Sequence, residues 1–387
     1  MSTPITEASN SITEEIDVAS PSEIVTLLEK CDQEIFDGYK DYKSIFSEEM
    51  IKTIDDVSEH VIEMLQEDGS GLVVFSGCGT SGRLGFMVAR TFNELQRERK
   101  RPEIFRYLIA GGDKALFTSQ EAPEDDPHAG IEALKKISEG KDRVLYIGIT
   151  CGLSAPFVAG QLEYCMDNSK FVPVLLGFNP EHLARNIKIE NWDKTFLQGN
   201  YNLSPDPITG SSRMKCGTAT KLLLETICLT GLLDMYHSEE NMYVKYPVFV
   251  PWLLKFPVDT FYAANCFRFP CACKKSKFVY CLFIESLIAY TAPIFSTHFR
   301  GEIHMVFIFS FKLSLSSLRS GGNIYYIGDD SLAIMGLIDA SECPPTYGAT
   351  LDDVRGFVAN GYKTLQNVEG DLSHLASYLH YIMSETI

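Results

Sequence analysis

Gly71-Leu72-Val73-Val74-Phe75-Ser76-Gly77-Cys78-Gly79-Thr80-Ser81-Gly82-Arg83 is the stretch on which the fold turns. An unbroken apolar run suits a strand buried on both faces, the glycines and hydroxyls suit a tight turn, and Arg83 to Gln96 has helical spacing. This is a β-loop-α unit, and others follow it. Phe105–Ala110 ends at Gly111-Gly112. Arg143–Ile149 closes on Thr150-Cys151-Gly152-Leu153-Ser154 ahead of a helix to about Met166, and Phe171–Phe178 runs into Asn179-Pro180. Consecutive units of this kind predict a doubly wound α/β domain on a parallel sheet, with ligands beyond the carboxyl ends of the strands.

Upstream, Glu23 to Ile35 and Met50 to Leu65 carry apolar residues at helical spacing and read as packing helices. Downstream, Asn323–Ile327, the turn Gly328-Asp329-Asp330-Ser331 and a helix through Ile334 and Ile338 repeat the order and spacing of Leu72–Ala89, which predicts an internal duplication. Between the two, Tyr243 to Phe311 is rich in Phe, Tyr, Cys and Pro and has neither helical periodicity nor Gly/Ser punctuation. The expected organisation is an N-terminal helical segment over 1–66, a first α/β lobe over 67–235, an atypical insert over 236–311 and part of a second lobe over 312–387. Phe278–Phe295 has about the length of a short membrane span, but Glu285 sits within it and Pro293 near its end, so no membrane partner is expected.

The chain has 387 residues, with 51 acidic against 34 basic side chains and a formal charge of −17. Such a balance repels nucleic acid and anionic lipid. Eleven cysteines is an odd number, and Ser2 to Asp17 is polar where a leader would be apolar, so a reducing cytosol is the expected compartment. Cys266, Cys271, Cys273 and Cys281 crowd together without the paired spacing of a zinc site, and no metal is expected.

Gly77-x-Gly79-x-x-Gly82 matches the dinucleotide fingerprint. That reading wants an acidic residue closing the second strand, where this chain has Ala110-Gly111-Gly112 and only then Asp113. Thr80 and Ser81 instead put hydroxyls at a helix start, where they and backbone N–H groups can converge on a compact terminal phosphate. Thr150, Gly152 and Ser154 repeat the equipment at another strand end, and two such termini can surround one phosphate. The plainer alternative makes these hydroxyls ordinary N-caps. A further hydroxyl-rich run, Thr209–Lys221, precedes an apolar helix expected over Leu222–Leu229. Two carboxylates stand out: Glu124 in an acidic turn, and Glu342 where Pro344 and Pro345 are expected to halt a helix. Either could accept sugar hydroxyls or move a proton. Cys78 and Cys343 have no neighbouring His and read as loop-lining or buried thiols.

Together Gly77–Arg83, Ala110–Lys114, Thr150–Phe157, Thr209–Lys221 and Asp339–Gly348 resemble the sugar isomerase (SIS) proteins of the group that contains glucokinase regulatory protein and N-acetylmuramic acid 6-phosphate etherase. The Gly-Ser-Ser-Arg-Met-Lys run at Gly210–Lys215 is the most specific match, while the family's Gly-Pro-Glu ahead of it reads Ser204-Pro205-Asp206. The resemblance covers about Pro4–Asp234 and Leu313–Gly361. It implies a SIS-type three-layer α/β fold, a parallel sheet flanked by helices, duplicated, with the second lobe incomplete. It also implies a sugar-phosphate site and no cofactor. Carried over by position, the phosphate lies on Gly79, Thr80, Ser81, Thr150, Gly152 and Ser154, and Glu124 and Glu342 meet the sugar hydroxyls, Glu342 from the second lobe.

The two-lobed arrangement points to a non-catalytic regulator that binds fructose 6-phosphate or fructose 1-phosphate and inhibits glucokinase in cytoplasm and nucleus. The alternative is an etherase-like lyase with Glu124 and Glu342 as acid and base.

Overall fold

Successive residues of the first strand point into different cores. Leu72 and Val74 join a cluster with Val144, Tyr146, Leu162 and Leu175, whereas Val73 and Phe75 join one with Val61, Phe86, Leu145 and Ile147. A side-chain period of two with apolar residues at every position is what a sheet covered on both faces demands. The computed structural model describes residues 4–67, 69–120, 122–180, 205–237, 310, 312–328, 330–359 and 381–382. The span Phe278–Phe295, the four crowded cysteines and nearly all of the insert expected over 236–311 lie outside the described residues.

Helices α1 (Pro21–Asp37) and α2 (Glu48–Gln66) lead into β1 (Gly71–Gly77), α3 (Gly79–Glu98) and β2 (Phe105–Ile109). The lobe continues with α4 (Pro127–Ile137), β3 (Arg143–Ile149), α5 (Pro156–Met166), β4 (Phe171–Leu176) and α6 (Lys215–His237). Its strands form a wholly parallel sheet in the order β2-β1-β3-β4. Residues of α2, α3 and α6 cover one face and those of α4 and α5 the other, giving three layers.

The second sheet repeats the motif. From β5 (Ile324–Gly328) the chain passes through α7 (Asp330–Tyr347) into β6 (Val354–Ala359), which pairs in parallel with β5 and then with β7 (Tyr381–Ile382). In both lobes a strand, a helix and the adjacent parallel strand follow one another. Ile334 and Leu337 of α7 and Val358 of β6 are buried in the larger core of the first lobe. Burying a residue the size of Leu337 contributes about 1.5–3 kcal/mol, so the lobes share hydrophobic stabilisation.

Three helix boundaries differ from the sequence expectation. α3 starts at Gly79, so Thr80 and Ser81 belong to its first turn and not to a preceding loop. α6 starts at Lys215, inside the hydroxyl-rich run, and continues to His237. α7 is not halted before Pro344 but carries both prolines to Tyr347. Each proline lacks the N–H that would reach back one turn, and its ring crowds the carbonyl four residues earlier, so the helix carries both at a local cost. The helix then ends at Gly348, whose φ of +66° and N–H to the Pro344 carbonyl at 2.9 Å form a left-handed C-terminal cap. Among the described residues no helix is long and apolar enough to cross a membrane.

Candidate functional site

Gly77 closes β1, and in the parallel register it lies opposite Ile149, the last residue of β3. The turns after the two strands are therefore neighbours at the carboxyl edge of the sheet. Gly79 opens the first turn with φ +48°, a left-handed conformation that a side chain disfavours, and a Cβ there would meet only Glu124 Oε1, at 3.7 Å. The backbone is thus open toward Glu124. At Gly82 the reverse holds, because a Cβ would lie 2.6 Å from Ile109 Cγ1 and 2.7 Å from the Gly77 carbonyl oxygen. Glycine is what lets α3 lie against the sheet.

The helices differ in how their N-termini are capped. α1 has a capping box in which the Ser20 hydroxyl accepts from the Glu23 N–H while Glu23 accepts from the Ser20 N–H, and Asp126 caps α4 through the Ala129 N–H at 3.0 Å. The N-caps of α3 and α5 are Cys78 and Ala155, and neither side chain caps. Thr80 and Ser81 therefore do not serve as caps. They lie in the first turn of a helix whose partial positive charge faces the site.

The second turn is built differently. The Thr150 hydroxyl oxygen accepts from the N–H groups of Ser154 at 3.1 Å and Ala155 at 3.3 Å, so Thr150 is buried and shapes its own loop. Gly152 is the close-approach point, where a Cβ would lie 3.2 Å from Ser154 Oγ, 3.7 Å from Thr6 Oγ1 and 3.9 Å from Asn179 Nδ2. Asn179 donates to the Gly152 carbonyl at 3.1 Å and to Thr6 Oγ1 at 2.8 Å, and accepts from the Thr6 N–H at 3.1 Å. The N-terminal segment is thereby pinned against the loop. Ser81 Oγ lies 3.6 Å from Cys151 Sγ, which joins the two turns directly.

The hydroxyl-rich run sits over the same edge. Gly217 faces Thr80 Cγ2, 3.6 Å from where its Cβ would be, and Thr220 Oγ1 lies 3.8 Å from Cys151 Sγ. The run is anchored by Asp206, which accepts from the Cys216 N–H at 3.2 Å and the Cys216 thiol at 3.1 Å, and by Lys215, which is fully buried and ion-paired with Glu34 at 2.7 Å. Burial pushes the Asp206 carboxyl up to about 6.

Two arginines of the first lobe reach α7. Arg213 is ion-paired with Asp339 at 2.9 Å, donates to the Asp339 carbonyl at 3.3 Å and to the Tyr347 hydroxyl at 3.5 Å, and lies over the Tyr347 ring. Arg83 is ion-paired with Glu342 and donates from Nε to the Leu116 carbonyl at 3.2 Å. Glu342 thus enters from the second lobe at the first turn of α3.

Of the residues singled out from sequence, Gly79 and Glu124 face one another, Ser81 and the Thr150–Ser154 turn adjoin, and Glu342 joins through Arg83. Thr6, Arg83, Asn179 and the Arg213–Asp339 pair were not anticipated as site residues. Arg83 had a visible signal, a charge on a helix face otherwise made by Leu84, Phe86 and Met87. Thr6 and Asn179 had none, since they are far apart in the chain.

Cys78 and Cys343 are not set up as nucleophiles. Burial, with the Glu124 and Asp125 charges adding, holds Cys78 well above its ordinary value, and burial pushes Cys343 to about 12. Asp113, the residue nearest to a ribose acceptor in the dinucleotide reading, is buried and accepts from the Tyr107 hydroxyl at 2.6 Å. It is committed to the end of β2.

Residues 56–166 match the family model described as glucokinase regulatory protein N-terminal SIS domain, and 308–385 match that described as glucokinase regulatory protein, second SIS domain. Glucokinase regulatory protein of Xenopus laevis is 40% identical over 97% of this chain, and that of Homo sapiens 37% over 96%. N-acetylmuramic acid 6-phosphate etherase of Aliivibrio fischeri (strain ATCC 700601 / ES114) is 30% identical over 60% of this chain and 71% of its own length. The chain belongs to this SIS family. The two matched domains fall on the two parallel sheets, which accounts for the repeated strand-helix-strand motif. The chain spans 57% of the Xenopus laevis regulatory protein and 56% of the Homo sapiens one.

Proposed function

We propose that this chain binds a hexose phosphate such as fructose 6-phosphate or fructose 1-phosphate and, without catalytic turnover, inhibits glucokinase in cytoplasm and nucleus. The observation that carries the reading is the meeting, at one sheet edge, of two turns ahead of helices without side-chain caps and a carboxylate delivered by the other lobe. Backbone N–H groups and the Ser81 and Ser154 hydroxyls suit a phosphate dianion. Glu124 and Glu342 suit sugar hydroxyls, which need acceptors. The name carried by relatives matching nearly the whole chain supports the partner.

The etherase relatives favour a second reading, in which Glu124 and Glu342 exchange protons with a muramic acid phosphate. A guanidinium against Glu342 stabilises the charged carboxylate, which is a poor proton donor and a good acceptor.

Glucokinase assays with and without this protein test the proposal. Inhibition that fructose 6-phosphate strengthens and fructose 1-phosphate weakens is the expected result. Steady release of lactate from the muramic acid phosphate, abolished in Glu342→Ala, would establish the lyase instead.

A further inference from the structure

Arg83 is the fifth residue of α3 and four residues after Gly79, so the two lie on the same face of the helix. Helical side chains lean toward the N-terminus, which carries a long side chain at this position back over the first turn and toward the site. The side chain is 0% exposed. An arginine cannot shed its charge in a protein, and a buried charge without a counter-charge costs several kcal/mol. Two carboxylates answer it: Glu342, in direct ion pairing, and Glu124, whose charge favours the guanidinium against burial.

These are the two carboxylates assigned to the sugar. One comes from each lobe, and Arg83 is the group they have in common. Nε is fixed on the Leu116 carbonyl, while Nη2 has no hydrogen-bond partner among the described residues. The guanidinium plane is anchored at one end and keeps a donor in reserve at the other.

Glu342 has a neighbour with the same task. Asp339 lies one turn earlier on α7 and takes Arg213, so the acidic face of one helix receives two first-lobe arginines. The Arg213 charge acts against Arg83, so the pair of acids is needed to bring both arginines to the same helix. Arg213 with Asp339 docks the helix, and Arg83 with Glu342 does so at the ligand site.

We propose that Arg83 is the positioning residue of the sugar subsite, holding the second-lobe Glu342 carboxylate in its charged, accepting form beside the first-lobe phosphate turn, so that recognition of the sugar requires the docked lobe. The inference rests on the hexose phosphate reading given above. A merely structural ion pair would affect every ligand of the site alike. A positioning role separates the sugar from the phosphate, because inorganic phosphate needs only the turns at Gly79–Ser81 and Gly152–Ser154.

The test is calorimetric titration of the whole chain with inorganic phosphate and with fructose 6-phosphate, for the parent, Arg83→Met, Arg83→Lys, Glu342→Gln and the Arg83→Met/Glu342→Gln double variant. Arg83→Met should weaken fructose 6-phosphate at least about tenfold and leave inorganic phosphate within about twofold, the loss of a hydrogen bond to a charged group. The double variant should be no weaker than Glu342→Gln by more than about twofold, since the arginine acts through that carboxylate. If Arg83→Met does not fold, Arg83→Lys and Glu342→Gln must show the same split between the two ligands. Equal losses for both ligands, additive losses in the double variant, or parent-like sugar binding in Arg83→Met would overturn the proposal. A parent protein that binds neither ligand would instead overturn the reading of the site, and the role of Arg83 with it.

Discussion

Asp206 is fully buried, with its carboxylate on the N–H and thiol of Cys216 and burial raising its pKa to about 6 from 3.8. Asp32, also raised by burial, to about 7, lies close enough for the two charges to act on one another. Because the folded value exceeds the unfolded one, the native state keeps a proton that the unfolded chain releases. The contribution of Asp206 is therefore most favourable below pH 4 and is lost as the pH rises toward 6. Asp206→Asn should remove that loss and gain on the parent by on the order of 1–3 kcal/mol between pH 4 and 7, as read by urea denaturation at each pH. Parallel stability profiles for the two proteins would refute the assignment. Residue roles of this kind are poorly legible in sequence. Ser204-Pro205-Asp206 shows an acid, but its capping of α6 depends on a turn whose neighbours are brought together by folding. Thr6 and Asn179, 173 positions apart, are a stronger case of the same difficulty. The two turns at the strand ends were readable because each is local, a handful of residues between one strand and one helix.

At the level of elements, the four strands of the first lobe and β5 were legible, whereas β6, β7 and the starts of α3 and α6 were not. β3 was anticipated to the residue because a doubly buried strand leaves a continuous apolar run that a charged or turn residue must end. The first turn of α3 is Gly-Thr-Ser-Gly, among the weakest helix formers, and intrinsic preference placed the helix start at Arg83. Packing against β1 and β2 outweighs that preference. Gly82 is where the packing is tightest, and Gly82→Ala would drive a methyl group into Ile109 and the Gly77 carbonyl. It should destabilise the chain by about 1–3 kcal/mol, lowering the denaturation midpoint. An unchanged midpoint would show that α3 can slide away from the sheet. The persistence of α7 through Pro344 and Pro345 has the same origin, since Leu337 and Ile334 hold the helix down on the first-lobe core before its last turn.

In the whole molecule the two lobes meet chiefly through α7, with Val358 of β6 beside it. Apolar residues of the helix enter the core of the other lobe and its acids meet Arg83 and Arg213. The duplication was legible in the repeated strand and turn, whereas the docking of α7 depends on partners such as Arg213 and Asp339 that no local pattern connects. Leu337 is 6% exposed, and Leu337→Ala should cost about 2–5 kcal/mol. Leu351→Ala, at a residue 52% exposed, should stay within about 0.5 kcal/mol. Thermal melts of both variants check this, and equal effects would mean that the shared core contributes nothing. The most direct measurement of the central claim, that two adjacent strand ends hold one phosphate monoester, is calorimetry of fructose 6-phosphate binding to the parent, Ser81→Ala and Ser154→Ala. Saturable heat is expected from the parent, with affinities weakened about tenfold or more in each variant, the loss of one charge-assisted hydrogen bond. Binding of equal strength in all three proteins would contradict the claim.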